Sequence, residues 1–69
     1  MEPAARNVIQ GWVVEILRGS TMAYVLLDIG GGTTITSMIT NEAVDALHLA
    51  VGAVAYAVIK ASDVMIVRN

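Results

Sequence analysis

Apolar side chains recur at every second position along most of the chain, which is the period of half-buried strands rather than helices. Residues 7–17 put Ile9, Gly11 and Val13 on one face and Val8, Gln10, Trp12 and Val14 on the other, in a run rich in β-branched residues. A glycine inside such a run marks a bend or bulge, and Gly11 takes that role here. Gly19 and Ser20 turn the chain into a second strand, residues 22–29, where Ala23, Val25, Leu27 and Ile29 alternate with Met22, Tyr24, Leu26 and Asp28. Three glycines, Gly30 to Gly32, break that strand, and residues 34–40 resume with Ile35, Ser37 and Ile39 against Thr36, Met38 and Thr40.

The period then changes. Thr40 or Asn41 caps a helix of about two turns, with Glu42 in its first turn and an apolar stripe of Ala43, Val44 and Leu47. Leu49 leads to a turn at Gly52. Residues 54–60 form a fourth strand and residues 64–67 a fifth, separated by Ala61, Ser62 and Asp63. Five strands with one short helix between the third and fourth is the element order of an OB-like barrel, so the fold class is all-β with one short helix. No linker, repeat or low-complexity tract divides the 69 residues, and the expectation is a single domain over residues 1–69.

Composition turns this barrel into an assembly. A chain of this size buries only about 60% of the surface its unfolded form exposes, and it has no cysteine and one histidine with which to staple itself. Its hydrophobic fraction is 57% and its charged fraction 14%, with a mean hydropathy of +0.71, more apolar surface than one copy hides. A membrane helix is excluded as the explanation, because the longest stretch without a charge, residues 46–59, has 14 residues against the roughly 20 required. The beginning of the chain has neither a basic n-region nor an apolar h-region, so the expected location is cytoplasmic. Self-association remains. The net charge of −2 and the scatter of Arg6, Arg18, Lys60 and Arg68 speak against a nucleic-acid partner, which calls for a basic face.

Four fragments carry a more specific signal: Ala5-Arg6-Asn7 at the start of the first strand, Gly11 four residues later, the glycine-rich turn before Ile35-Thr36-Ser37, and Ala57-Val58-Ile59-Lys60-Ala61. In content and spacing they resemble the molbindin (Mop) family, whose module recurs as the TOBE-type domain of molybdate transport ATPases and molybdate-responsive regulators. The resemblance runs from Ala4 to Val67. It implies an OB-like barrel whose copies exchange an N-terminal strand into dimers, three of which form a hexamer. It also implies molybdate or tungstate bound at subunit interfaces, for intracellular storage and homeostasis, by Ala5, Arg6 and Asn7 of one chain with Lys60 and Ala61 of another. Thr36, Ser37 and Thr40 are candidates for a second, axial oxyanion site. The sequence departs from the family at Ala4, where a serine is usual; loss of one hydrogen bond to a charged ligand weakens binding by roughly 1.5 to 3 kcal/mol. The main-chain N–H groups of Ala5 and Arg6 remain.

The residue types suit that ligand. Molybdate is a dianion with four acceptor oxygens and no proton to give, so its site consists of donors: backbone N–H groups, hydroxyls, the Lys60 ammonium and the Arg6 guanidinium. Catalysis is not expected, since His48 stands alone and Glu2, Glu15, Asp28, Glu42, Asp45 and Asp63 form no recognisable acid–base pair.

Each of these features also has a plainer reading. Without the surrounding motif Arg6 and Lys60 are ordinary strand-end charges, strand threonines satisfy β propensity, and His48 is a surface or turn residue. The three glycines link strands, because no Lys-Ser/Thr follows them as in a phosphate cradle. Trp12, Tyr24 and Tyr56 as a base-stacking platform sit poorly with an acidic chain. Trp12, Met22, Tyr24 and Leu26 fall on the face opposite Ile9, Val13, Val25 and Leu27, and so form an outward interface patch. That patch supports an alternative function, a structural or assembly module on the same fold with weakened or lost oxyanion binding.

Overall fold

The computed structural model describes residues 6–69. Its elements are β1 (Arg6–Arg18), β2 (Met22–Gly30), β3 (Thr33–Thr40), a short helix α1 (Asn41–Ala46), β4 (Val54–Lys60) and a single 3-10 turn (Ala61–Asp63). The strands make one antiparallel sheet in the order β3-β2-β1-β4, curled into a half-barrel. All four strands and the helix fall where the hydrophobic alternation puts them.

β1 organises the sheet because its 13 residues serve two neighbours in turn. Its first half pairs with β4, from Arg6 opposite Lys60 to Trp12 opposite Val54. Its second half pairs with β2, from Trp12 opposite Asp28 to Arg18 opposite Ala23. The register slips by one residue between Val13 and Glu15, so Val14 is a bulge, and the added twist bends β1 around the core. The bulge is held from outside the ladder: Val13 N–H donates to the Ala53 carbonyl at 2.8 Å, and Gly52 N–H donates to the Val13 carbonyl at 2.7 Å.

Gly11 is not the bulge expected of it. It is buried on the core side, where an added Cβ would lie 2.4 Å from the Asp28 carbonyl oxygen and 2.9 Å from Leu27 Cγ. Close approach of β1 to β2 demands a glycine there. The glycines after Asp28 act as turn formers, with positive φ at Gly30, Gly31 and Gly32, and the Asp28 carboxylate accepts from Gly30 N–H at 2.8 Å.

Val13, Ala23, Val25, Leu27 and Val44 form the core, with Ile16, Ile29, Ile39, Leu49, Ala55 and Ala57 packed around them. Val44 is the side chain by which α1 plugs one end of the half-barrel, and its complete burial contributes about 1.5–3 kcal/mol. Leu47, assigned to the same stripe, is the C-cap residue and is exposed. At the other end of the helix, Thr40 caps it by accepting from Ala43 N–H at 3.0 Å. Thr40→Ala is therefore expected to lower stability by about 1 kcal/mol, read from the midpoint of urea unfolding. The Arg18–Asp45 ion pair, 2.7 Å long, ties the end of β1 to α1 but is exposed and contributes little.

The fifth strand is not formed. Residues 64–67 pair with no described residue, and Met65, Ile66 and Val67 are 86–88% exposed. Their β propensity is genuine, but a strand needs an edge to pair with, and the 3-10 turn at Ala61–Asp63 carries the chain away from its own sheet. The half-barrel thus stays open between the free edges of β3 and β4. The gap is an apolar groove of about 420 Å³, lined by Val25, Leu27, Ile35, Ile39, Ala57 and Ile59 among others. Among the described residues no helix is long and apolar enough to cross a membrane.

Candidate functional site

The start of β1 and the end of β4 meet at one end of the sheet. Arg6 and Lys60 are direct antiparallel partners there, which places their side chains on the same face. The resemblance draws these two cations from different chains, and the structure sets them opposite each other within one. Asn7 fixes the junction, its side-chain amide donating to the Ile59 carbonyl at 3.2 Å, immediately before Lys60. Ala61 follows as the first residue of the 3-10 turn and is exposed. Ala4 and Ala5, the remaining residues of the N-terminal motif, lie outside the described residues.

Like charges directly opposite on a sheet repel, at a cost of about 0.2–1 kcal/mol. Among the described residues no carboxylate makes an ion pair with either of them, since Asp45 is taken by Arg18. Both side chains are exposed, so each keeps its full donor set for a ligand: five N–H bonds on the guanidinium and three on the ammonium. A protein of net charge −2 here carries a local positive end. No group of three His, Asp or Glu residues among the described residues could hold a metal cation.

Thr36, Ser37 and Thr40 do not converge within one chain. Neighbouring strand residues point to opposite faces, so Ser37 turns to the groove side, opposite Val25, while Thr36 shares the outer face with Leu26. The Thr40 hydroxyl is engaged as the helix cap.

The order of the outward-facing residues is set by register. Trp12 and Tyr24 are exposed on the outer face, while Met22 and Leu26 are half-buried there. Tyr24 sits in a row with Leu17 and Met38. The row of Glu15, Leu26 and Thr36 lies between it and Trp12. A second outer stripe escaped the sequence reading: Val54, Tyr56 and Val58 of β4 beside Trp12, Gln10 and Val8 of β1, leading directly to Arg6 and Lys60. The alternation within β4 already contained the signal, because those three residues share one parity.

Fold and site together define a class, a small curled β-domain with a donor-rich sheet end bordered by apolar surface, where neither cation is ion-paired among the described residues. The chain belongs to the TOBE domain family, whose pattern matches residues 3–66. It is 48% identical over 66 residues, 96% of either chain, to a probable molybdenum-pterin-binding protein of Haemophilus influenzae. Among solved structures it matches MopII of Clostridium pasteurianum with a TM-score of 0.87 and 44% identity, over 93% of this chain and 96% of that one. It also matches the cytoplasmic molybdate-binding protein ModG, solved with molybdate bound, with a TM-score of 0.85 and 51% identity. That match spans 94% of this chain and 46% of the ModG chain. The resemblance to the molbindins, drawn first from four short fragments, holds over the whole described fold.

Proposed function

We propose that this chain binds a tetrahedral oxyanion, molybdate or tungstate, and serves cytoplasmic storage and homeostasis of that anion as a single TOBE-type unit without catalytic activity. The carrying observation is the Arg6–Lys60 pair, two exposed cations held opposite each other with no ion-pair partner among the described residues. A dianion placed against the pair converts their repulsion into two charge-assisted contacts. The molybdenum-linked names of its relatives favour this ligand over other anions.

Within one copy Arg6 and Lys60 approach the anion from a single face of the sheet, so the site is completed at the junction of copies. Ala5, Asn7 and Ala61 border it, and main-chain N–H groups of the N-terminal segment complete the donor set. The assembly is a homo-oligomer with a strand exchanged between copies, a hexamer built as a trimer of dimers. Among the described residues only five apolar side chains are buried while fifteen large ones stand exposed, which favours association. Thr36, Ser37 and Thr40 serve a second site only where copies meet.

Calorimetric titration with molybdate and with tungstate is expected to give saturable heat, and sulfate, a smaller dianion, a weaker response. Absence of heat at millimolar molybdate would contradict the proposal. It would favour the second reading, an assembly module, for which the exposed Trp12 and the Leu17–Tyr24–Met38 row are the supporting observation.

A further inference from the structure

On the outer face of the β1–β4 pair, the row next to Arg6 and Lys60 is Val8 opposite Val58. Side chains two residues apart on a strand share a face and stand about 6.7 Å apart along it. Polar groups return only in the following row, at Gln10 and Tyr56. The two cations are therefore bordered, on the sheet side, by an apolar step. Val8 is 64% exposed and Val58 59%, so neither fills the core, which lies on the opposite face around Val13, Val25 and Leu27. Folding asks only for β propensity at these two positions, and threonine meets that demand as valine does.

What valine adds is surface that offers an anion no hydrogen bond. The apolar stems of Arg6 and Lys60 are long enough to lie along the valine methyl groups while their charged heads meet at a common ligand. An anion held by both heads and resting on Val8 and Val58 gives up water on that side and receives nothing in return. The cost of stripping water from an ion rises as its radius falls. Sulfate, the smaller dianion, holds its water more tightly than molybdate or tungstate. All three carry the same charge, so attraction to the cations does not by itself reject sulfate.

We propose that Val8 and Val58 are specificity-determining residues, an apolar step beside the cation pair that selects the larger, weakly hydrated oxyanions and rejects sulfate by uncompensated dehydration. The inference rests on the oxyanion reading above and names how that site chooses its ligand.

The double variant Val8→Thr, Val58→Thr keeps side-chain shape and strand propensity and adds two hydroxyls to the same surface. Molybdate affinity is read by calorimetry, sulfate affinity by displacement of bound molybdate, and folding by thermal unfolding without ligand. The molybdate-to-sulfate affinity ratio is expected to fall by more than about threefold, chiefly because sulfate binds more tightly, while the unfolding midpoint stays close to that of the wild type. A ratio that stays within about threefold of wild type, including a proportional loss of both affinities, would overturn the proposal. Each single variant is measured alongside, so the test stands if the double variant fails to fold. A wild type that binds no molybdate removes the oxyanion reading and this inference with it. A wild type that binds molybdate but shows no preference over sulfate, or whose preference survives in the threonine variants, removes this inference alone.

Discussion

Gly11→Ala is expected to cost about 3 kcal/mol of folding stability, at the upper end of what overpacking does. The added methyl group would meet the Asp28 carbonyl oxygen at 2.4 Å, and that atom is backbone, not the tip of a flexible side chain. Relief demands moving β2 away from β1 at the centre of the sheet, beside Val13 and Leu27, two of the five core residues. A domain of this size has a total stability of only about 3–5 kcal/mol, so the variant is expected to be marginal, with a substantial unfolded fraction at 37 °C. Circular dichroism with a urea titration reads the effect directly. A midpoint within about 0.5 kcal/mol of wild type would mean that β1 and β2 do not approach as described.

Lys60→Ala is expected to act in the opposite sense on fold and on ligand. Without ligand the substitution removes an unfavourable like-charge contact with Arg6 from an exposed position, so stability is expected to be unchanged or slightly higher. With ligand it removes a charge-assisted hydrogen bond, which lowers molybdate affinity by roughly 1.5–3 kcal/mol, or about 10- to 150-fold. Arg6→Ala is expected to follow the same pattern. Calorimetry gives the affinity and thermal unfolding without ligand the stability. A variant that loses both together would mark Lys60 as a structural residue.

Much of the architecture was legible because it is local. Period-2 alternation marks all four strands, Thr40 marks the helix start, and three consecutive glycines mark a turn. Val13, Val25 and Leu27 are buried, and Trp12 and Tyr24 exposed, as their parity requires. What was not legible depends on pairing. Residues 64–67 read as a strand because propensity is local, but whether a strand forms depends on an edge, and no edge among the described residues pairs with them. The bulge falls at Val14 instead of Gly11 for the same reason: a glycine signals an unusual backbone position, while only the register with β2 distinguishes a bulge from a close approach.

The site follows this division. Its residue types were apparent from the motif fragments, whereas the direct opposition of Arg6 and Lys60 in one chain follows from the antiparallel register of β1 and β4. The outer stripe of Val54, Tyr56 and Val58 was within reach, since the parity of β4 fixes its face. Its partner stripe on β1 becomes visible only once the two strands are aligned.

The central claim is that this cation pair holds an oxyanion, and the most direct measurement is crystallographic. Crystals grown with tungstate, measured at the tungsten absorption edge, locate the metal without bias from the protein phases. The account predicts an anomalous peak within hydrogen-bonding reach of the Lys60 ammonium and the Arg6 guanidinium. A peak away from both residues, or none at saturating tungstate, would contradict it.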